Sequence, residues 1–522
     1  MKSLCLILVS LLSGTLIASE LRPNVVLILA DDLGWGDPQC YSLESKIPTP
    51  SMDRLAAEGI RFTDAHTPSS VCTPTRYSLL TGRYAWRTRL KSGVLDGFDP
   101  PLFEPGEDTL ASLLKRTGYA THVIGKWHLG MTWATHDGAH GGTMPDRVTV
   151  GVKGFRAGTE VDFARAVEGG PTKFGFDTFS GISASLDMSP YVWMRDDRIV
   201  EIPGIETPEN IDGLFMNQVA GLTTKDFALE SVLPEIARET VEIIRVAAET
   251  EKPSPFFCYV PLTSPHLPVV PTEAVAGASG VGAYGDFVVE TDRALGRILQ
   301  ALDETGAAEN TIVIFTSDNG GLFHDWTWPA DDDGGRIQKT RRGQETARFG
   351  HRSNADWRGK KADIYEGGHR VPFLVRWPER VSGGSVSESL VELTDVFATI
   401  AEIVGEKGLG QAGMDSFSFL SILDGVENGV TRPFAVHHSL RGMFALREGD
   451  WKWIAGRGSG GFSHPREIAE SEPPGQLYHL GEDSRETRNR YSENREKAER
   501  MDEMLEAIKE ASATEVAAEL VR

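Results

Sequence analysis

A cysteine, a proline and an arginine lie within five residues of one another near the start of this chain. Cys72 is followed by Pro74 and Arg76, and Gly82 comes shortly afterwards. Because proline favours a first helical turn and glycine often follows a helix end, we predict a helix over residues 74–80. The backbone N–H groups and the dipole at the start of such a helix attract anions. Cys72 and Arg76 therefore define a candidate site for attack on an anionic ester.

The same spacing also has a simpler interpretation. A lone cysteine beside a helix is usually a buried, unreactive thiol. The pattern Cys-x-Pro-x-Arg arises by chance in about one chain in a hundred of this composition. The other residues that the fold brings to Cys72 therefore decide between the two interpretations.

The elements that must position this site alternate between two types. Apolar runs of strand length lie at residues 24–30, 119–124, 256–260, 311–315 and 371–376. Continuous apolar strands that alternate with helices indicate an α/β fold, in which helices sandwich a large, mostly parallel sheet. Amphipathic stretches of helical length separate the runs, at residues 51–58, 109–117, 233–249 and 285–305.

Polar side chains follow directly after these predicted strands. Ligands of open α/β sheets bind beyond the carboxyl ends of the strands, so residues at those ends can meet although they are far apart in sequence. We expect seven such residues to converge on one edge of the sheet. They are Asp31, Asp32, Lys126, His128, His266, Asp318 and Asn319.

Four of these residues offer oxygen ligands. Asp31 and Asp32 form one pair, and Asp318 and Asn319 form another. Hard oxygen ligands favour Ca²⁺ or Mg²⁺, and no cluster of Cys and His with zinc spacing accompanies them. Helix capping explains a single pair of this kind better than a metal does. Two pairs at two strand ends favour a metal site.

The cations and histidines suit the handling of an anionic group. Arg76, Lys126 and Lys361 can neutralise the oxygens of a transferring group. His128 and His266 can act as general acid and base. Each residue alone has an ordinary alternative, because a lysine is usually a solvated surface group and a loop histidine usually has neither role. Lys126, His128 and His266 share a place beyond the strand ends, which favours the chemical interpretation for these three.

Together these motifs resemble those of a known family. Residues 70–82, SVCTPTRYSLLTG, resemble the first sulfatase signature along its full length, and residues 118–128, GYATHVIGKWH, resemble the second. Over about residues 22 to 500 the chain is similar to the type I, formylglycine-dependent sulfatases, which are arylsulfatase-like members of the alkaline phosphatase superfamily. Four further segments fit the family's order, at residues 31–32, 264–266, 317–321 and 361–372.

The resemblance implies that Cys72 is converted after translation to 3-oxoalanine, which is also called Cα-formylglycine. A formylglycine-generating enzyme would be the partner in this maturation. The hydrated aldehyde would be the nucleophile: one hydroxyl attacks sulfur and releases the alcohol, and the other loses a proton and expels sulfate. Covalent catalysis of this kind divides one difficult hydrolysis into two easier steps.

The resemblance also implies a Ca²⁺ cofactor, which the formylglycine would help to hold. Arg76 and Lys126 would stabilise the formylglycine itself. This assignment gives the oxygen-rich strand ends and the modified cysteine one common function. The implied ligands of Ca²⁺ are Asp31, Asp32, Cys72, Asp318 and Asn319.

Five residues are implied to act on the sulfate ester. Lys126 and Lys361 would bind sulfate oxygens. His266 would donate a proton to the leaving group and would also contact the substrate, and His128 would accept a proton in the elimination step. Ser185 follows the segment GFDTFSG, which resembles a family landmark, and is expected to contact sulfate. A loop serine without that role is the alternative.

Three regions are predicted along the 522 residues. Residues 1–19 have the pattern of a signal peptide, with a short apolar core and a small-residue cleavage site, so we expect an exported protein, periplasmic or secreted. Residues 20–424 are predicted to form the catalytic α/β domain, which the resemblance makes alkaline phosphatase-like. Residues 425–522 are predicted to form a smaller α+β domain, with antiparallel strands at 441–454 and a terminal helix at 492–520.

The composition of the chain limits the classes of partner that it can bind. The net charge of −22 disfavours nonspecific binding to nucleic acid or acidic lipid. No segment is long and apolar enough to span a bilayer. The chain contains no Asn-x-Ser/Thr acceptor site, which favours a bacterial exported protein over a eukaryotic one. In an oxidising compartment Cys40 and Cys258 could form a disulfide, which the sequence alone does not decide.

A basic segment interrupts this acidic chain. Residues 336–361 contain nine Lys or Arg and only two acidic residues. The segment is either a solvated loop or a collar for an anionic substrate, which suits sulfated carbohydrate, with aryl sulfates as the simpler substrates. Two other functions stay open: hydrolysis of phosphate mono- or diesters within the superfamily, and noncatalytic binding of sulfated glycans if Cys72 stays unmodified.

Overall fold

The structure is a computed structural model. It describes residues 22–136, 161–212, 214–251, 254–324, 341–426, 432–463 and 471–520, with only the backbone described at position 341. The predicted signal peptide at 1–19 and the start of the basic segment, 336–340, lie outside the described residues.

Most strands of the described chain are short and apolar, and the longest belong to the central sheet. They are β1 Asn24–Asp31, β2 Ile60–Phe62, β3 Ala65–His66, β4 Ala120–Lys126, β5 Thr178–Ile182, β6 Met194–Arg195, β7 Arg198–Ile199, β8 Ile205–Thr207, β9 Gly221–Thr223, β10 Phe256–Pro265, β11 Thr311–Ser317, β12 Phe373–Arg376, β13 Ser385–Ser387, β14 Val391–Glu392, β15 Phe434–His438, β16 Phe444–Glu448, β17 Trp451–Ile454 and β18 Gln476–His479.

The helices separate the strands of the central sheet and follow the last strand of the chain. They are α1 Pro50–Glu58, α2 Cys72–Thr81, α3 Leu110–Arg116, α4 Val232–Glu249, α5 Gly282–Glu304, α6 Arg341–Ala347, α7 Glu366–His369, α8 Asp395–Ile403, α9 Leu420–Leu423, α10 Arg495–Glu510 and α11 Ala513–Leu520.

The central sheet has ten strands in the order β13-β2-β12-β11-β1-β10-β4-β5-β6-β7. Five of its strands, from β11 to β5, are parallel to one another. Strands β12 and β6 pair antiparallel on either side of them. The prediction of a large, mostly parallel sheet is confirmed.

Alternate residues of β1 face two separate hydrophobic layers. Val25, Leu27 and Leu29 pack with residues of α2, α3 and α8. Val26 and Ile28 pack on the other face with residues of α1, α4 and α5. Because both faces are covered, β1 is apolar at almost every position until it reaches Asp31.

A second, antiparallel sheet follows in the order β15-β16-β17-β18. Phe434, Leu446 and Trp453 of this sheet pack against Met501 and Leu505 of α10. The predicted fold class, with a smaller antiparallel sheet near the C-terminus, is confirmed. The division of the chain at residues 424 and 425 stays a prediction.

Several local predictions need correction. The single terminal helix predicted at 492–520 is two helices, α10 and α11, which the turn at Ala511 and Ser512 separates. The strand predicted at 371–376 is β12, Phe373–Arg376, which begins two residues later and pairs antiparallel with β11. Cys40 and Cys258 are free thiols, so the pairing that the sequence left open is not formed. Within the described residues, no helix has the length and apolar character of a membrane span.

Candidate active site

The polar residues predicted to converge lie at the carboxyl ends of neighbouring strands. Asp31 is the last residue of β1, and Lys126 is the last residue of β4. His266 follows β10, and Asp318 follows β11. Because these four strands are parallel and adjacent, the four side chains reach the same edge of the sheet.

Cys72 is the first residue of α2 and lies at this edge. The preceding Val71 is extended, and Gly82 ends the helix in the left-handed conformation with φ 61°. Arg76 lies one turn after Cys72, on the same side of the helix. All residues of α2 are buried, so the thiol and the guanidinium are held in a rigid core element. The predicted helix is confirmed and begins two residues earlier than expected.

Carboxylates and ammonium groups surround the Cys72 sulfur. The Sγ atom lies 3.6 Å from Asp31 Oδ1 and 3.6 Å from Lys361 Nζ. The Lys361 ammonium also lies 2.8 Å from Asp32 Oδ1. Lys126 Nζ donates to Asp31 Oδ2 at 2.7 Å. The structure thus brings residues from four distant segments into contact around one sulfur atom.

Arg76 and Asp318 form a buried ion pair beneath this cluster. Arg76 Nε and Nη2 both donate to Asp318 Oδ2, at 3.0 and 2.7 Å. The other carboxylate oxygen of Asp318 accepts the backbone N–H of Asp32 at 3.1 Å. Asn319 Nδ2 donates to Asp32 Oδ1 at 2.7 Å. These contacts fix the two acidic pairs against each other.

Ser185 and His266 complete the other side of the site. Lys126 Nζ donates to Ser185 Oγ at 3.1 Å, and that hydroxyl lies 3.2 Å from His266 Nδ1. His266 Nε2 lies 3.8 Å from Asp32 Oδ2. Ser185, which the sequence supported least, therefore links the lysine to the histidine.

His128 is oriented by a contact that the sequence did not indicate. Its Nε2 donates to the Leu95 carbonyl at 2.8 Å, and its buried Nδ1 has no hydrogen-bond partner among the described residues. Burial, together with the charges of Lys126 and Arg76, holds the pKa of His128 well below its usual range. The ring is therefore neutral, with a bare Nδ1 lone pair. Sequence reasoning missed Leu95 because a backbone carbonyl leaves no residue signature.

The charges at the site shift the pKa values of its acids in opposite directions. Burial raises the pKa of Asp31, but the Lys126 ammonium and the nearby cations outweigh it and hold that pKa well below the usual range. Burial and the Asp31 charge raise the pKa of Asp318 to about 6. Burial and the Asp318 charge raise the pKa of the Cys72 thiol. The thiol is therefore protonated at neutral pH, and a thiol is a poor nucleophile.

The donor set fits a hard divalent cation. Asn319 Oδ1 is buried without a hydrogen-bond partner, although its Nδ2 is fully engaged. One ligand atom from each of Asp31, Asp32, Cys72 and His266 lies within 4.8 Å of the others. Carboxylate and amide oxygens are the ligands that Ca²⁺ and Mg²⁺ prefer. An unpaired buried amide oxygen on a residue that contacts Asp32 is a position that a cation would satisfy.

Comparison with known proteins identifies relatives that share this arrangement of elements. A family model described as Sulfatase matches residues 23–406. The N-acetylgalactosamine-6-O-sulfatase of Bacteroides thetaiotaomicron is 31% identical over 521 residues, which cover 94% of this chain and 93% of that protein. Arylsulfatase A of Homo sapiens is 30% identical, over 85% of this chain and 77% of its own length.

A solved structure agrees with these matches. It comes from work on the metabolism of multiple glycosaminoglycans by Bacteroides thetaiotaomicron, and it is 30% identical to this chain with a TM-score of 0.76. The match covers 94% of this chain and 99% of that one. The family model spans β1 to α8 and so includes every element that carries the site. This chain therefore belongs to the sulfatase family and is a sulfuric ester hydrolase.

Proposed function

We propose that this protein is an exported sulfatase that removes sulfate from sulfated carbohydrate, with Cys72 converted to formylglycine and with bound Ca²⁺. The observation that carries this proposal is the position of the Cys72 sulfur, which lies 3.6 Å from the Asp31 carboxylate and 3.6 Å from the Lys361 ammonium. A nucleophile placed between carboxylates that suit a cation and ammonium groups that suit an anion is arranged to attack an anionic ester.

Conversion of Cys72 would replace a poor nucleophile with a better one, and the motif around Cys72 supports it. The buried thiol beside Asp318 is protonated, so the unmodified side chain has little nucleophilic character. The hydrated formylglycine has two hydroxyl groups in the same position, one for attack on sulfur and one for release of sulfate. The Cys-x-Pro-x-Arg motif at residues 72–76 is the sequence on which the proposed conversion rests.

We assign the Ca²⁺ ligands to Asp31, Asp32, Asp318 and Asn319, together with the side chain at position 72. The unpaired Asn319 Oδ1 supports this assignment. Bound Ca²⁺ would supply positive charge that polarises the nucleophile and the sulfate oxygens. Arg76 balances the Asp318 charge and donates to the Lys126 carbonyl at 3.0 Å, so it holds the lysine and the acidic ligand in one arrangement.

Lys126 and Lys361 are assigned to the sulfate oxygens. Each ammonium is buried and contacts one of the paired aspartates, so the two cations flank position 72 from different directions. Ammonium groups aimed at developing negative charge in a site closed to water contribute strongly to catalysis. Ser185 adds a hydroxyl donor next to Lys126.

The two histidines are assigned to proton transfer. His266, which Ser185 and Asp32 orient, would protonate the alcohol that leaves. His128, whose bare Nδ1 is held by the contact of Nε2 with Leu95, would accept a proton when sulfate is expelled. Separate acid and base residues suit a reaction that needs protonation in one step and deprotonation in the next.

The relatives support a carbohydrate substrate. One is named for 6-O-sulfated N-acetylgalactosamine, and the solved structure concerns glycosaminoglycan metabolism. We therefore propose a sulfated glycosaminoglycan-type saccharide as the substrate, with an aryl sulfate as a simpler test compound. The signal-peptide pattern at residues 1–19 supports export to the periplasm or beyond the cell, where such saccharides occur.

A matched pair of chromogenic esters tests this function. The protein is produced together with a formylglycine-generating enzyme, and mass spectrometry of the peptide with residue 72 measures the conversion. We expect hydrolysis of nitrophenyl sulfate that far exceeds hydrolysis of nitrophenyl phosphate and that Cys72→Ala abolishes. Preference for the phosphate would favour the phosphoesterase alternative. Full activity of Cys72→Ala would exclude residue 72 as the nucleophile.

A further inference from the structure

Three described cations of the basic segment, residues 336–361, form ion pairs with carboxylates. Arg348 pairs with Glu345, and Arg352 pairs with Asp356. Lys361 pairs with Asp32 in the active site. The segment is therefore not a uniform basic collar. What matters is whether any of its cations lacks a carboxylate.

Arg342 is such a cation. It is half-buried in α6, and its Nε donates to the Leu214 carbonyl at 2.9 Å. Within the described ranges, no carboxylate forms an ion pair with its guanidinium, so the terminal NH₂ groups face no countercharge in contact. A guanidinium that loses water without gaining an ion-pair partner is costly to keep, and an anionic ligand would lower that cost.

Helix α6 is fixed to the segment that follows the active-site residue Asn319. Thr346 Oγ1 donates to the Phe323 carbonyl at 2.8 Å, and Ser353 Oγ donates to the same oxygen at 3.0 Å. Phe323 lies four residues after Asn319. The backbone of α6 is thus held close to the strand end that supplies two proposed Ca²⁺ ligands.

The side chain of Arg342 reaches from α6 to the segment beside His266. Its partner, Leu214, precedes Phe215, whose carbonyl accepts the N–H of Val269 at 2.9 Å. Val269 lies three residues after His266. Arg342 therefore connects the segment after Asn319 to the segment after His266, on the side where the alcohol would leave.

The position of Asp187 also supports placing Arg342 on the side of the site where the alcohol would leave. It lies two residues after Ser185, which contacts His266. Its Oδ2 accepts from Asn217 Nδ2 at 3.2 Å, while its buried Oδ1 has no hydrogen-bond partner among the described residues. The charges of Asp212, Asp32 and Asp187 all act on Arg342. A cation and an unpaired acceptor thus lie on the leaving-group side of the ester.

We propose that Arg342 is a specificity-determining residue that binds a second anionic group of the substrate, a carboxylate or a further sulfate, on the leaving-group side served by His266. This inference rests on the proposed sulfatase function and names the substrate class that the site prefers: saccharides with more than one negative charge. Asp187 accepts a sugar hydroxyl beside that group. A guanidinium binds either anion through paired charge-assisted hydrogen bonds.

Matched saccharides test the inference by turnover. The set comprises a monosulfated N-acetylhexosamine, the same sugar with a second sulfate, and the monosulfated sugar linked to a uronic acid. We expect Arg342→Gln to lower the ratio of kcat/KM for a doubly charged sugar to kcat/KM for the monosulfated sugar by about 10- to 100-fold, mainly through KM. The doubly charged sugar whose ratio falls more identifies the second anion as a sulfate or a carboxylate.

Arg348→Gln is the matched control, because Arg348 is an exposed cation of the same segment that is paired with Glu345. It should leave the ratio unchanged. If Arg342→Gln lowers kcat/KM equally on all three sugars, the ratio stays unchanged; Arg342 would then have a structural role as the anchor of Leu214, and the inference would be overturned. No loss on any of the sugars would overturn it as well.

A binding measurement keeps the result independent of turnover. Calorimetry compares the Kd of each saccharide for Cys72→Ala and for Cys72→Ala combined with Arg342→Gln. We expect the double variant to lose about tenfold or more in affinity for the doubly charged sugars alone. Hydrolysis of nitrophenyl sulfate by the wild type tests the proposed function separately. Turnover without any preference for a second charge would overturn the inference and leave the function intact.

Discussion

The Lys361 ammonium contacts both Asp32 and Cys72: its Nζ lies 2.8 Å from a carboxylate oxygen and 3.6 Å from the sulfur. Lys361 is buried, and burial, which lowers its pKa, is outweighed by the charge of Asp32, so the pKa is raised. The side chain therefore keeps its charge across the physiological range. A permanent cation at this distance from the proposed site of the nucleophile is placed to act on the oxygens of a bound sulfate.

We expect Lys361→Met to lower kcat for nitrophenyl sulfate by about 100-fold or more, because one preorganised donor to a developing anion contributes that much. Steady-state kinetics measures the loss, and the melting temperature reports on folding. Lys115→Met removes an exposed ammonium that pairs with Asp177 and serves as the control. A Lys361→Met enzyme that keeps a third of its kcat would contradict the assigned role.

Removing one partner of the buried ion pair of Arg76 and Asp318 should destabilise the fold, because the other partner is left in the core without its countercharge. Arg76→Met leaves the Asp318 carboxylate uncompensated in the core, and we expect a loss of about 3–5 kcal/mol in the free energy of unfolding. Chemical denaturation in the presence of a chelator measures it. Adding Asp318→Asn should recover part of the loss, because the remaining group is then neutral.

Arg54→Met is the comparison for this pair. Arg54 pairs with Glu58 on the surface, and an exposed pair contributes less than about 1 kcal/mol. A loss for Arg76→Met as small as that for Arg54→Met would show that water or another group replaces the guanidinium. A double variant no more stable than Arg76→Met would contradict the charge argument.

Removal of divalent cations should abolish turnover, and added Ca²⁺ should restore it. We expect Asn319→Leu to lower Ca²⁺ affinity at least about tenfold, because it deletes the unpaired Oδ1 that we assign as a ligand. Isothermal titration of the chelated protein measures this without any turnover. Asn310→Ala, at the opposite end of β11, is the control. Equal affinity of the wild type and Asn319→Leu would place the cation elsewhere.

The parts of the site that lie in regular elements could be predicted from the sequence. Pro74 and Gly82 fix the two ends of α2 through local backbone preferences, and apolar runs mark the strands that end at Asp31 and Lys126. Because parallel strands end at one edge, the meeting of these residues followed from the strand pattern alone. The resemblance to sulfatases added Ser185, for which no local pattern exists.

Tertiary contacts account for what the sequence could not indicate. The antiparallel direction of β12 appears only in its pairing with β11, because its own residues do not indicate a direction. The contact of Arg342 with the Leu214 carbonyl joins residues 128 positions apart, so the sequence could not indicate it. The orientation of His128 depends on the Leu95 carbonyl.

His66 of β3, His369 of α7 and His437 of β15 form a buried group, with one nitrogen of each ring within 4.8 Å of the others. The His369 and His437 rings stack with their centroids 3.9 Å apart, and His66 Nδ1 lies 3.0 Å from His369 Nδ1. Burial holds the pKa values of all three below the usual range, and it lowers the pKa of His438 to about 4. His66 Nε2 also lies 2.9 Å from Asp64 Oδ1, and Lys452 Nζ lies 3.0 Å from His369 Nε2, so these histidines are neutral members of a buried polar cluster.

Low pH should therefore lower the free energy of unfolding of this protein. Histidines of the unfolded chain bind protons near pH 6.5, whereas the buried rings stay neutral to lower pH, so the unfolded state binds more protons between these values. We expect the free energy of unfolding to fall as the pH drops from about 6.5 to about 4, and His438 alone should contribute about 3 kcal/mol of that fall. Chemical denaturation across this range measures it. His438→Gln should flatten the slope, and an unchanged slope would show that water reaches the ring in the folded protein.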